Sequence, residues 1–137
     1  IAAVGIACHE AGHAAQHAQN YSPIAIRNAI LPVCKIGSYA GIPLAFVGYY
    51  LSFEPLILIG LALYSAIAIF QLVTLPVEFN ASRRAISVID ETGMLDVDET
   101  PKAKKVLFAA ALTYVAALLV SIMSLLRLIL KTRGRRN

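Results

Sequence analysis

Residues 9–13 read His-Glu-Ala-Gly-His, an HExxH pattern. On a helix, residues four apart lie about 40° from each other around the axis and one turn along it. The imidazoles of His9 and His13 can therefore reach one ion. Zinc suits neutral imidazole nitrogens at about 2.0–2.1 Å. Glu10 lies beside that face, placed to hold a metal-activated water rather than the metal itself. It can accept the water's proton and later pass it to a leaving amine. The pattern points to Zn2+ as cofactor and Glu10 as general base. Flanking alanines, with Val4 and Ile6, favour a packed helix over about 1–20. Ala11 and Gly12 leave room for close approach by a substrate or another helix. A shuffled chain of this composition would contain the pattern on the order of once in several hundred trials. Chemistry is therefore a stronger reading than accident, or than polar residues at a membrane surface.

A catalytic zinc site takes three protein ligands and leaves one position open. Four sources of the third ligand exist. His17 extends the histidine stripe, but it lies too far along the helix to join His9 at one ion. It also misses the spacing at which a turn returns a third histidine. Cys8 points about 100° away from His9 and reads as a small core residue. The acids of 90–99 read as a solvated, loop-like surface. Glu78 is the strongest candidate: it follows an apolar stretch directly, is flanked by Val77 and Phe79, and should want a cationic partner.

The elements that must position these groups are apolar. Hydrophobic residues make up 58% of the 137, and charged residues 15%, against about 45–50% and 25% in soluble domains. This excludes intrinsic disorder, and two cysteines exclude a disulfide scaffold. A soluble bundle of unusually apolar helices is the rival, but too little polar material is present to surround such helices. Three stretches approach the roughly 20 apolar residues a bilayer requires: about 36–53, 55–77 and 106–126. The fold class is all-α, a multi-pass membrane protein with a surface HExxH helix and about three transmembrane helices. The first stretch carries Gly37, Gly41, Gly48 and Pro43 and is expected to kink or re-enter. Gly93 reads as the C-cap of a helix starting near Val77, so that Glu78 sits on a helix of its own. Thr100-Pro101 reads as N-cap and first helical residue of the third span.

If all three stretches cross, the histidines and the 78–105 segment face one compartment, and the tail faces the other. Arg27, Lys35, Arg83, Arg84, Lys102, Lys104 and Lys105 stand against Arg127, Lys131, Arg133, Arg135 and Arg136, a balance that does not orient the chain. The tail's charge suits anionic membrane lipids. It lacks the interleaved aromatics of a nucleic-acid binder, so no nucleic-acid partner is expected. Tyr49, Tyr50 and Phe53 read as interfacial aromatics. An oxyanion donor besides zinc would come from Arg83, Arg84, His17 or Tyr39. Cys8 and Cys34 read as reduced thiols.

The HExxH residues, two intervening apolar spans and Glu78-Phe-Asn-Ala-Ser-Arg-Arg84 together resemble the YugP-type neutral zinc metallopeptidases of bacterial membranes. They are more distantly similar to the HtpX and CaaX prenyl protease group, where the third ligand opens a Glu-x-x-x-Asp helix. The resemblance covers nearly the whole chain. It implies that His9, His13 and Glu78 bind zinc, a gluzincin-like set, and that Glu10 is the base. It also implies an upstream portion, which makes residues 1–137 one C-terminal membrane metallopeptidase domain. Ser82 departs from the distant group's aspartate, which would orient a histidine ligand. Ser82 or Asn80 could do so more weakly. The expected activity is hydrolysis of peptide or membrane-protein substrates at a cell membrane. The alternative is a non-catalytic metal-binding membrane protein such as a sensor or assembly factor.

Overall fold

A computed structural model describes residues 1–134; Arg135 and Arg136 of the basic tail lie outside the described residues. Among those described, the chain forms four helices and no strand: α1 (Ala2–Ala18), α2 (Ser22–Leu51), α3 (Glu54–Thr92) and α4 (Thr100–Gly134). α2, α3 and α4 are 30, 39 and 35 residues long and apolar enough to cross a membrane. At about 1.5 Å per residue, α2 alone extends some 45 Å, enough to span the hydrocarbon rather than dip into it.

Three residues in the left-handed region end the first three helices. Asn20 (φ 52°) follows α1. Its N–H donates to His17 O, and Tyr21 N–H donates to Gln16 O, the paired bonds of a Schellman ending. Ser52 (φ 55°) does the same after α2, with Ser52 N–H donating to Tyr49 O and Phe53 N–H to Gly48 O. Gly93 (φ 61°) ends α3 through one bond to Ile89 O, as its sequence context predicts. At α4 the expected cap differs. Thr100 is already helical and its hydroxyl donates back to Asp96 O at 3.2 Å, while the Glu99 carbonyl accepts the N–H of Ala103. The helix thus starts one residue earlier than the Thr-Pro pair suggests.

The chain forms two compact units. One comprises 1–26 and 73–116, the other 27–72 and 117–137. In the first, Cys8, Ala85, Ile89, Ala103 and Leu107 make a buried cluster, with Val4, Ile86 and Leu95 packed on it. The buried stripe of α1 is Gly5, Cys8, Gly12 and Gln16, a spacing of three and four residues that keeps one face inward. His9 and His13 each follow a stripe residue by one position, so they emerge at its edge, half-buried.

In the second unit, the glycines that suggested a broken first span have another use. α2 runs unbroken past Pro32 and Pro43. A Cβ added at Gly48 would sit 2.7 Å from Ile57 N, and one at Gly41 3.0 Å from Tyr64 N. Gly37 and Gly60 meet the partner backbone as closely. Gly37, Gly41, Ala45 and Gly48 therefore form a seam of small residues along which α2 and α3 approach, the common way for helices to pack in lipid. Cys34 Sγ donates to Ala66 O at 3.2 Å across the same pair. The resulting expectation is unequal glycine tolerance. Gly48→Ala should lower the thermal midpoint in detergent, by the equivalent of about 1–3 kcal/mol. Gly134→Ala, with nothing within 4 Å, should leave it unchanged.

Candidate metal centre

The HExxH helix meets α3 at one close crossing. A Cβ on Gly12 would lie 2.8 Å from the Ala81 carbonyl oxygen, so only a glycine admits this separation. About one turn before the crossing, α1 presents His9 and α3 presents Glu78, and directly after it come His13 and Ser82. Glu78 does not start a new helix, as the sequence suggested. α3 continues from the apolar span straight through it to Thr92, with Pro76 inside. Pro76 loses one backbone bond, which a long packed helix tolerates.

Glu78 Oε2 lies 3.0 Å from His9 Nε2 and 3.5 Å from His13 Nε2, with the Glu78 side chain 3% exposed. The two imidazole rings stand edge to face, centroids 4.7 Å apart. The three prospective ligand atoms all lie within 4.8 Å of one another. Four ligands held tetrahedrally at about 2.0–2.1 Å are separated by about 3.3 Å along each edge. The two histidine–glutamate separations bracket that value. A carboxylate this deeply buried requires charge or hydrogen-bond compensation, and two nitrogens and an oxygen are a donor set zinc accepts. The residues present fit the metal.

The surrounding groups hold the imidazoles. Ser82 Oγ lies 3.1 Å from His9 Nδ1. His13 Nδ1 lies 2.9 Å from Gln16 Oε1. Gln16, wholly buried, donates from Nε2 to the Val77 carbonyl at 2.8 Å and to Asn80 Oδ1 at 3.1 Å. Asn80 Oδ1 also accepts from Arg84 Nε at 2.8 Å, and Arg84 Nη1 donates to Gln19 Oε1 at 2.7 Å. Asn80 thus reaches no histidine itself; it acts on Gln16. Sequence reasoning passed over Gln16, although it stands three residues beyond His13 on the same face of α1.

Glu10 is exposed beside this cluster in sequence. His17 and Arg83 are also exposed and are not members of the cluster. Arg84 is tied to Asn80 and Gln19. Tyr39 belongs to the other unit and is 83% exposed. Cys8 is in the apolar cluster. Of the downstream acids, Asp90 pairs with Lys104 at 3.0 Å on an exposed face, and Glu99 Oε2 accepts the N–H of Asp96 at 3.3 Å.

Residues 1–133 match the family described as "Putative neutral zinc metallopeptidase". The chain belongs to that family. It is 47% identical over 131 residues to "Putative membrane protease YugP" of Bacillus subtilis (strain 168), an alignment covering 95% of this chain and 58% of that protein. The chain thus spans somewhat over half the length of this curated relative. No solved structure matches it. Family membership and the three long apolar helices make this a membrane protein.

The crossing at Gly12 yields a test of how the centre is held. Gly12→Ala must push α1 from α3, and the affinity for zinc, measured by chelator competition, should fall at least about tenfold with helix content unchanged. Gly5→Ala, whose Cβ would meet neighbours at an ordinary 3.8–3.9 Å, should leave the affinity as it is.

Proposed function

We propose that this protein is a membrane-bound zinc metalloprotease in which His9, His13 and Glu78 hold the metal and Glu10 is the general base. The observation that carries the reading is the convergence of two imidazole nitrogens on one buried carboxylate oxygen, 3.0 and 3.5 Å away. When bound, zinc would supply a Lewis acid that lowers the pKa of a water and polarises a carbonyl oxygen. Glu10 accepts one proton from the attacking water on a carboxylate oxygen. It delivers that proton to the departing amine nitrogen as the C–N bond breaks, so that acid and amine products account for every atom. Its exposure suits a group that must touch both water and substrate. Proton transfer of this kind contributes about 10²–10⁴-fold.

Substrates would be membrane proteins or partly unfolded chains, because Glu78 lies directly after the apolar, uncharged run 55–77. Lipid would contact the second unit around Lys131. There Lys131 Nζ stands 5.1 Å from the Phe46 ring centroid and 5.5 Å from that of Tyr49. Together with Arg127 and Arg133, it suits anionic headgroups.

Two variants of the full-length protein decide the matter. His13→Ala should lose one equivalent of zinc together with peptidase activity. Glu10→Gln should retain the zinc, by metal analysis, and lose turnover by at least about 10²-fold. Stoichiometric zinc in the His13→Ala protein would defeat the ligand assignment. Undiminished peptide hydrolysis in the Glu10→Gln protein would defeat the assignment of the base.

A further inference from the structure

We infer that Gln16 is a positioning residue that locks His13 in the Nδ1–H tautomer, leaving the Nε2 lone pair aimed at the centre. The inference rests on His13 being a metal ligand, as proposed above, but its geometry is independent of that reading.

The argument turns on which end of the Gln16 amide faces the histidine. A carboxamide has an acceptor oxygen and a donor nitrogen of nearly the same shape, so its orientation must follow from its partners. Two partners settle it. The Val77 carbonyl, 2.8 Å away, can only accept, so the Gln16 atom facing it is Nε2. Arg84 Nε can only donate, so the Asn80 atom it meets at 2.8 Å is Oδ1. That same oxygen, 3.1 Å from Gln16, again demands a donor there. With Nε2 fixed twice over, Oε1 must be the atom 2.9 Å from His13 Nδ1, and it can only accept. The proton of a neutral His13 therefore sits on Nδ1. Nε2, 3.5 Å from Glu78 Oε2, offers its lone pair.

Burial makes this orientation hard to escape. Gln16 is completely buried, so a flipped amide would set its oxygen against two acceptors, with no water to relieve them. Each such mismatch leaves a buried polar group unsatisfied. His9 is constrained from its other nitrogen: its Nε2 lies 3.0 Å from Glu78 Oε2, and a carboxylate can only accept. Its Nδ1 meets the hydroxyl of Ser82, which rotates to donate or accept as needed. The two imidazoles are thus held by different rules: His13 is fixed at Nδ1 by a rigid amide, whereas His9 meets the carboxylate at Nε2 and an adaptable hydroxyl at Nδ1.

The test has a spectroscopic arm and a binding arm, both on the full-length protein. In the metal-free wild type, 15N spectra of labelled histidine should show His13 protonated at Nδ1 in its neutral form. In Gln16→Met, which preserves volume but removes the acceptor, the same signal should report a mixture with the Nε2–H form. Cobalt affinity, read from the visible spectrum of the ion, should fall about 10–100-fold in that variant. A change in packing alone would lower the thermal midpoint without moving the tautomer signal. A wild-type His13 protonated at Nε2 overturns the inference without any variant, so it stays testable even if Gln16→Met fails to fold. An unchanged tautomer in a folded Gln16→Met protein overturns it as well. If wild-type cobalt binding is absent while the Nδ1–H form is observed, the metal assignment fails and the positioning by Gln16 stands.

Discussion

Two imidazole nitrogens and a carboxylate oxygen brought to a common point, largely out of water, form a costly arrangement in the absence of a cation. Burying the carboxylate of Glu78 forfeits its hydration, which the 3.0 Å contact with His9 Nε2 offsets only in part. Such a cluster persists only where the surrounding packing over-determines it. Here that packing comes from one face of α1. Cys8 anchors the face in the apolar cluster with Ala85, Ile89, Ala103 and Leu107. Gly12 lets the helix axis approach α3, and Gln16 bonds to the backbone and side chains of α3 beyond the crossing. The three contacts are a turn apart, and both histidines lie between them. The candidate ligands thus sit at the rim of the contact stripe of this helix pair, which holds them in place.

Much of this was legible in the residues. The HExxH spacing fixes a shared helical face, and no packing is needed to see it. The apolar runs are long enough that their helical nature follows from length alone. Glu78 stood out because a carboxylate next to Val77 and Phe79 has few partners. The illegible parts share a physical cause: they depend on which surfaces face one another. Gly37, Gly41 and Gly48 read as weakness when judged by helix propensity alone, and as close contact once α3 is beside them. The break expected before Glu78 rested on a change of polarity. A change of polarity marks where a helix leaves an apolar environment, and the hydrogen bonds of its backbone continue regardless.

Gln16 and the helix ends show a finer limit. Glutamine is a good helix former with no distinctive pattern, and its importance arises from what lies across the interface. The terminations after α1 and α2 use Asn20 and Ser52 in a conformation usually taken by glycine. Asparagine visits that region readily, whereas serine does so rarely. Gly93 announced its helix end by residue type, whereas a break near Ser52 was legible only from the gap between apolar spans, and its left-handed conformation was not. The bond from Phe53 to Gly48 satisfies the terminal carbonyl there, so the contact rather than the residue type defines the end.

The glycine at the α1–α3 crossing changes what the five-residue pattern means in this architecture. Written in the usual shorthand, two of its positions are open to any amino acid. In this chain one of them, Ala11, faces solvent and is open in that sense, while the other presses against a neighbouring backbone and tolerates no side chain at all. A description of the fold that keeps its helix pairing would therefore specify four positions out of five. A protein bearing the looser pattern with a bulky residue at the fourth position must join its two helices in some other way.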